Sequence, residues 1–430
     1  MTQLIRGEGL TCDLGEQFPP VIPVRQVFEG DEVGDVSAAS RAAMDELDLS
    51  SLSPGDRVLV TAGSRGIGDV VTVLGEICQY LRGMEVEPII LGAMGSHGGG
   101  SPEGQRSVLT SLGITEERIG ARIVTSDEAE VIGRDEAGRE VYCDPLVLEC
   151  DGLIAVNRVK PHTTIQGDIQ SGLMKILVVG LGHRRGAEAF HRNPPAQLST
   201  ALVQMARVLM EKTPFLGGVA IVENARERSA VIAGLRPEEM EEQERRMLVR
   251  ARELMPSLPF PRADVLVIRR IGKDLSGTCM DTNVIGRFRI DGAPAAGDPE
   301  IGAIAALELT DASHGNACGV GLADVITARL ASSIDLETTY MNVVTSRLPV
   351  RAMVPMIART DRDAVAACIA TSGPPDPAEV RLAIISDTLH LDALWVSPAL
   401  WSDIRGLSRV SRGGPQVPLE FDREGVLSLH

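Results

Sequence analysis

The chain has 430 residues and a formal net charge of −17 at pH 7, and 44% of its residues are hydrophobic but only 3% aromatic. The negative charge and the scarcity of aromatic rings argue against nucleic acid as a partner, because they disfavour both phosphate contacts and base stacking. The lack of a long apolar run argues against a signal peptide or a membrane partner, and seven scattered cysteines without a C-x-x-C pair predict reduced thiols in a cytoplasmic protein.

Short apolar strands alternate with helical segments along the chain. Runs that predict strands lie at residues 57–62, 86–91, 121–125, 153–156, 219–222 and 265–268. Residues 68–81 have helical spacing, and Ser101 caps a further helix that Gly113 ends. This alternation predicts an α/β fold with two domains, each built on a mostly parallel sheet.

A change in composition predicts the boundary between the domains. A charged segment at 237–253 predicts a helix, and the proline-rich stretch 255–264 follows it. We therefore expect an N-terminal α/β domain over residues 1–258 and a second α/β domain over residues 259–390 that closes a cleft. Residues 391–430 are expected to pack back on the first domain.

A glycine-rich turn follows the strand at 57–62. Thr61, Gly66 and Gly68 stand where the nucleotide-binding turn of short-chain dehydrogenases has its fingerprint. Against this interpretation, Ala62 occupies the first glycine position, and no tyrosine is followed four residues later by the lysine that such enzymes use to protonate a carbonyl. An NAD(P)-dependent dehydrogenase is therefore the alternative hypothesis.

Two histidines follow predicted strands directly. His97 lies in a glycine-rich loop between the strand at 86–91 and the helix that Ser101 opens, and His162 follows the strand at 153–156. Ligands of open parallel sheets gather at the carboxyl ends of strands, and neighbouring glycines let a ligand approach closely. These positions indicate a ligand-binding site, although a histidine without a function in a mobile loop would show the same pattern.

Positive charge is concentrated around His162 in this otherwise acidic chain. The basic side chains are those of Arg158, Lys160, Lys175, Arg184, Arg185 and Arg192. A solvated basic face would interleave such residues with glutamate, whereas here glycine and histidine separate them. The pattern favours a locally positive site for a small anion.

The sequence G-S-H-G at 95–98, K-P-H at 160–162 and S-G-x-x-K at 171–175, with His191 sixteen residues beyond that lysine, resembles the nickel-pincer lactate racemases. The resemblance implies a cofactor in which pyridinium-3,5-bisthiocarboxylic acid mononucleotide holds nickel, and it implies cofactor-maturation enzymes as partners. By motif position, it implies that Lys175 is the tethering lysine and His191 the nickel ligand, with His183 as a competing ligand.

The same resemblance assigns the chemistry. It implies that His97 and His162 are the two acid–base catalysts and that Arg65 helps to hold the substrate. Lys273, in a polar turn after the strand at 265–268, is the expected carboxylate partner from the second domain, which would place the active site in the interdomain cleft. Further cofactor contacts are expected from Ser171, Gly172 and Arg184. The family's Asp-x-x-Arg run appears here as Ala62-Gly63-Ser64-Arg65, so one acidic contact is missing.

The expected reaction explains the need for two histidines. Removing hydrogen from carbon 2 of a hydroxy acid as a proton is difficult beside a carboxylate, but removal as hydride needs only a base for the hydroxyl proton and an acceptor for the hydride. Imidazoles titrate near neutral pH and suit this proton transfer. The sequence therefore predicts a racemase or epimerase of a small anionic 2-hydroxy acid. A cofactor-binding protein without turnover is a further alternative.

Overall fold

A computed structural model describes residues 9–12, 18–64, 66–290, 297–374 and 376–429. Arg65, predicted to hold the substrate, lies outside the described residues. The chain divides into two compact units. We call Gly30–Met255 the insert unit, and Met1–Glu29 with Pro256–His430 the terminal unit.

The strands and helices follow one another in the alternation that the sequence predicts. The strands are β1 (Ile22–Gln26), β2 (Arg57–Ala62), β3 (Glu87–Gly92), β4 (Arg122–Val124), β5 (Glu130–Arg134), β6 (Glu140–Cys143), β7 (Gly152–Arg158), β8 (Phe215–Glu223), β9 (Ser229–Leu235), β10 (Arg262–Ile271), β11 (Glu300–Leu309), β12 (Val325–Thr327), β13 (Met356–Ala358), β14 (Leu382–Ile385), β15 (Ala393–Val396), β16 (Val410–Arg412), β17 (Glu420–Phe421) and β18 (Leu427–Ser428). The α-helices are α1 (Val36–Asp45), α2 (Val70–Gly83), α3 (Pro102–Ser111), α4 (Glu116–Ile119), α5 (Gly172–Lys175), α6 (His183–His191), α7 (Leu198–Lys212), α8 (Met240–Leu254), α9 (Ala328–Ser332), α10 (Leu336–Ser346), α11 (Asp361–Ser372) and α12 (Pro398–Ile404).

The insert unit is built on a sheet with the strand order β4-β3-β2-β7-β8-β9. All neighbours are parallel except β8 and β9. The chain adds β3 and β4 on one side of β2 and then returns to place β7 on the other side. Such a reversal opens a crevice at the carboxyl ends of the two central strands.

Alternate residues of the central strand pack on opposite faces of this sheet. Leu59 belongs to a buried cluster that includes side chains of α7 and α8. Val58 and Val60 point the other way, into a cluster that includes side chains of α2. Because helices cover both faces of the sheet, the unit has its own hydrophobic core. Complete burial of a valine, leucine or isoleucine side chain there contributes about 1.5–3 kcal/mol to the free energy of unfolding.

The terminal unit is built on a second sheet, with the order β13-β12-β11-β10-β14-β15-β1-β16. Strands β10 to β13 are parallel to one another, as are β10 and β14. Strands β15, β1 and β16 are joined by antiparallel pairing. The strand order again reverses, this time between β10 and β14. The two sheets confirm the predicted α/β fold with mostly parallel strands.

The units differ from the predicted domain boundaries at both ends of the chain. Residues 391–430, expected to pack on the first domain, instead supply β15 and β16 to the sheet of the terminal unit. Strand β1 lies between them, with Ile22 and Val24 buried, although it was expected in the first domain. Hydrophobic periodicity locates strands but not their partners, so these long-range pairings were not predictable.

The cysteines match the expectation of buried reduced thiols. Free, buried thiols are those of Cys78, Cys143, Cys150, Cys279, Cys318 and Cys368. Burial raises the pKa of the Cys78 thiol to about 12, which suppresses the reactive thiolate. No helix in the described part of the chain combines the length and apolar character that crossing a membrane requires.

We predict that residues 30–255 fold alone, whereas residues 256–430 do not, because the second fragment lacks β1 between β15 and β16. Far-UV circular dichroism and thermal melting would compare the two fragments. As a control, joining residues 18–29 to 256–430 by a short flexible linker should restore folding, since the Gln26 side-chain amide donates to the Ser257 carbonyl over 2.9 Å. Cooperative unfolding of residues 256–430 alone would contradict the prediction.

Candidate functional site

The two central strands of the insert unit separate at their carboxyl ends. Backbone pairing joins residues 58–60 of β2 to residues 152–154 of β7. Beyond this point the hydroxyl of Thr61, which is completely buried, accepts a hydrogen bond of 2.9 Å from the Val156 amide. A side chain thus satisfies a backbone group where the strands diverge. The loops that follow β2, β3 and β7 at this edge of the sheet carry Ser64, His97 and His162.

His97 is exposed in the loop after β3, as its sequence context predicts. Its Nδ1 atom forms a hydrogen bond with the Ser64 hydroxyl, which belongs to the loop after the adjacent strand β2. The loop folds tightly against α3: Gly98 has φ +65°, and a Cβ there would lie 2.6 Å from the Gly104 carbonyl carbon. Only glycine fits this position. Because a hydroxyl can donate or accept, the contact with Ser64 permits either tautomer of the His97 ring.

His162 is half-buried in the loop after β7, and the backbone around it fixes its ring. Its Nδ1 atom accepts hydrogen bonds from the amides of Thr164 and Ile165, both at 3.0 Å. Its own amide donates to Gln170 Oε1 over 2.8 Å. An Nδ1 atom that faces two N–H donors cannot carry a proton, so the neutral ring holds its proton on Nε2.

This tautomer changes what His162 can do. A ring with its proton on Nε2 donates a hydrogen bond there, and it can accept a second proton only by displacing the amides of Thr164 and Ile165 from Nδ1. The resemblance implied that His97 and His162 both act as acid–base catalysts. In the structure their surroundings differ, because Nδ1 of His162 faces two backbone amides whereas Nδ1 of His97 contacts a hydroxyl.

The segment that carries Lys175 and His191 packs against the His97 loop. Helix α5 ends at Lys175, a π-helical turn follows at Ile176–Gly180, and α6 ends at His191. A Cβ on Gly95 would lie 3.1 Å from Val179 Cγ1, and one on Gly100 would lie 3.6 Å from Arg184 Cβ. Arg184 therefore lies beside the loop, with its exposed guanidinium paired to Glu188 at 2.9 Å.

His191 is half-buried and electrostatically coupled to Lys175. Burial lowers the pKa of His191 to about 4, and the positive charge of Lys175 acts in the same direction. The imidazole is therefore neutral at physiological pH, which is the form that binds a metal ion. His191 belongs to no group of three or more metal-ligating side chains within the described residues.

Ser171 and Gly172 hold the local structure together. The Ser171 hydroxyl donates to the Lys160 carbonyl over 2.6 Å and accepts from the Lys160 amide over 2.8 Å. Gly172 has φ +80°, and a Cβ there would overlap the carboxylate of Glu244. Both residues, which the resemblance implies contact a cofactor, fix the loop of His162 and the start of α5 in this structure.

Glu244 is a functional candidate that the sequence analysis missed. It is 1% exposed, and its carboxylate accepts hydrogen bonds from the amides of Leu173 and Met174 at the start of α5. Burial raises its pKa to about 8, while these two hydrogen bonds act in the opposite direction. The sequence could have indicated its burial, because Glu244 shares the helical spacing of the buried Met240 and Met247 in α8.

His183 lies in the protein interior, where its ring contacts two polar side chains. Its ring is completely buried, with Nε2 2.8 Å from Asp144 Oδ2 and Nδ1 3.4 Å from Gln105 Nε2. Both ring nitrogens of this buried side chain therefore already contact protein groups. The structure favours His191 over His183 as the residue able to accept a ligand.

The glycine-rich turn does not fit a dinucleotide phosphate. The Gly68 amide donates to Glu223 Oε1 over 2.7 Å, and the same carboxylate is paired with Arg158. A phosphate would need the amides at the start of α2 that face this anion. The charge of Glu223 argues against the dehydrogenase alternative.

Lys273 lies in the terminal unit, in the turn after β10. It is half-buried, its ammonium donates to the Gly277 carbonyl over 2.6 Å, and its amide donates to Ser313 Oγ over 2.8 Å. The neighbouring polar residues form an ordinary turn, in which the Asn283 amide and side chain both donate to Asp281.

The chain was compared with protein families, curated proteins and solved structures. No protein-family model matches the chain, and no curated protein matches it by sequence. Among solved structures, the chain is similar to the lactate racemase apoprotein from Thermoanaerobacterium thermosaccharolyticum, with a TM-score of 0.54 and 12% identity over 86% of this chain and 98% of that one. At this identity the similarity shows a distant lactate racemase-like fold.

We predict that Glu244 makes stability depend on pH. Its raised pKa means that the folded state binds this proton more tightly than the unfolded state between pH 4.5 and about 8. Below pH 4.5 the group is protonated in both states, and its contribution to the free energy of unfolding is at its maximum. As pH rises from 4.5 to about 8, this contribution falls by up to about 1.4 kcal/mol per pH unit, because the unfolded state loses the proton first. Glu244→Gln removes the titrating group. The free energy of unfolding of the wild type minus that of the variant should fall from pH 5 to pH 8 in denaturant titrations.

Glu242→Gln provides the control for this measurement. Glu242 lies on the same helix, but its side chain is 59% exposed and pairs with Arg246. Its removal should not produce the same pH dependence. Parallel stability curves for wild type and Glu244→Gln would show that burial does not raise this pKa.

Proposed function

We propose that the chain is an isomerase that racemises or epimerises a small 2-hydroxy acid with a nickel-pincer nucleotide as cofactor. The observation that carries the proposal is the half-buried imidazole of His191 beside Lys175, on a segment packed against the loop of His97. The distant lactate racemase-like fold supports it.

The residues of the insert unit fit such a cofactor. Its sulfur atoms would supply most of the metal ligands, so the protein needs one further soft or borderline donor, and a neutral imidazole suits nickel. His191 would provide that donor and Lys175 would tether the nucleotide, with the exposed Arg184 available to its phosphate. Maturation enzymes would have to supply the cofactor. When bound, the nickel-pincer nucleotide supplies an acceptor and donor of hydride.

His97 is the proposed base for the hydroxyl proton of the substrate. Its ring is exposed in a loop rich in glycine, so a small acid can reach it. With Nδ1 donating to the Ser64 hydroxyl, Nε2 presents a lone pair to the substrate hydroxyl. The protonated ring can later return the proton. The keto acid left by hydride removal is planar at carbon 2, so hydrogen returned to the opposite face inverts that centre.

His162 is the proposed hydrogen-bond donor to the reacting oxygen. Its Nε2 proton would stabilise the oxygen as the carbon–oxygen double bond forms and is reduced again. This role replaces the second base expected from the sequence. Arg65 and Lys273 remain the proposed partners of the substrate carboxylate.

We predict that substitutions at the two histidines have different effects in protein co-expressed with cofactor-making enzymes. His97→Ala removes the base and should lower racemisation by about 10²–10⁴-fold. His162→Ala should lower it by about 10²–10³-fold, and His162→Gln, which keeps an N–H donor, should recover most of the loss. Chiral chromatography of D- and L-lactate, malate and sugar acids would measure the rates. Equal inactivity of His162→Gln and His162→Ala would favour the alternating-base mechanism, and full activity of His97→Ala would refute the base.

We predict that covalent attachment and metal binding can be separated. Lys175→Ala should lose a mass adduct on the peptide that contains residue 175, whereas His191→Ala should keep the adduct and lose most of its nickel. Intact-mass spectrometry and metal analysis of the co-expressed proteins would distinguish them, with the exposed Lys212→Ala as control. An adduct that survives Lys175→Ala would show that the tether is elsewhere. Cofactor bound without racemisation of any acid would favour a binding protein without turnover.

A further inference from the structure

A second crevice lies within the terminal unit, where its strand order reverses. The last register pair of β10 and β14 is Ile268 with Ile385, so Arg269 and Ser386 follow as neighbours at the carboxyl ends of these strands. Both line a cavity of about 300 Å³. A cavity at this position of a parallel sheet is where small ligands bind.

The charges around this cavity leave one cation in excess. It is lined by three arginines and two acids, namely Arg269, Arg270, Arg329, Glu308 and Asp361. Arg329 pairs with Asp361 at 3.2 Å, and Arg270 lies opposite Glu308 in the register of β10 and β11. The resulting net charge of the lining is +1, in a chain whose formal net charge is −17.

Arg269 and Ser386 are the groups that remain for a ligand. Neither the Arg269 guanidinium nor the Ser386 hydroxyl has a hydrogen bond or ion pair to any residue in the described ranges. Asp361, which is 4% exposed, accepts a hydrogen bond of 3.0 Å from the Leu427 amide, so the hairpin of β17 and β18 fixes this acidic side chain of the lining.

We propose that this cavity binds a small monocarboxylic acid that carries several hydroxyl groups. The planar guanidinium of Arg269 would bind the carboxylate with two parallel hydrogen bonds, and Ser386 would donate a third. Glu308 and Asp361 accept hydrogen bonds from the ligand hydroxyls. The same two carboxylates repel a ligand of higher charge, which distinguishes this site from a phosphate site. The inference concerns the terminal unit alone and does not rest on the proposed isomerase activity.

Isothermal titration calorimetry of the full chain without cofactor tests this proposal. D-Gluconate carries both features of the ligand, whereas hexanoate has only the carboxylate, sorbitol only the hydroxyls, and inorganic phosphate a higher charge. We expect saturable binding of gluconate and at least tenfold weaker binding of the other three. No binding of gluconate at millimolar concentration, or equal binding of phosphate or hexanoate, overturns the proposal.

Substitutions of Arg269 test whether gluconate binds in this cavity. Arg269→Gln should weaken gluconate binding more than tenfold, and Arg269→Lys, which keeps the charge but not the planar fork, should weaken it severalfold. The exposed Arg405→Gln is the matched control and should bind as the wild type does. Arg269→Gln co-expressed with the cofactor-making enzymes should racemise as the wild type does, so loss of racemisation and loss of gluconate binding remain separate results. Unchanged gluconate binding by the two Arg269 variants, with their folding verified by circular dichroism, overturns the assignment.

Discussion

A reversal of strand order in each of the two large sheets separates two central strands, and both proposed sites depend on this constraint. In the insert unit the reversal separates β2 from β7, and in the terminal unit it separates β10 from β14. The strands diverge there, and their backbone groups need new partners, as the buried Thr61 hydroxyl illustrates. In the insert unit, His97 follows β3 and His162 follows β7 at this edge, and in the terminal unit Arg269 lies near the carboxyl end of β10.

Some polar residues near the first crevice are candidates to contact a ligand, whereas others form hydrogen bonds that hold the ligand-binding loop and helix in place. Ser171, Gln170 and Glu244 satisfy backbone amides of the loop and helix that carry His162 and Lys175. Such support limits the movement of the loop, in which the amides of Thr164 and Ile165 determine the tautomer of the His162 ring. A motif that looks like a set of cofactor contacts therefore includes residues whose contribution is to hold the others in place.

The sequence predicts the strands, the helices and the position of the histidines, because apolar periodicity and strand–loop–helix order are local properties. It does not predict that β1 pairs with β15 and β16, since partners distant in sequence leave no local trace. The tautomer of His162 could not be predicted from the sequence either, because it depends on the amides of Thr164 and Ile165, whose directions are set only when the loop folds. Glu244 was recoverable, since a glutamate at an apolar position of a helix indicates a buried carboxylate.

The place of β1 in the sheet of the terminal unit has a consequence for biosynthesis. A ribosome completes the whole of Gly30–Met255 after β1 emerges and before either strand that flanks it exists. At about 5–20 residues per second, the wait for β15 lasts on the order of tens of seconds. During this time Ile22 and Val24 lie on an unpaired edge, which is the kind of surface that aggregates or recruits a chaperone. Pairing of β1 is therefore delayed until β15 and β16 have been synthesised, and its apolar residues need shielding from other chains during that time.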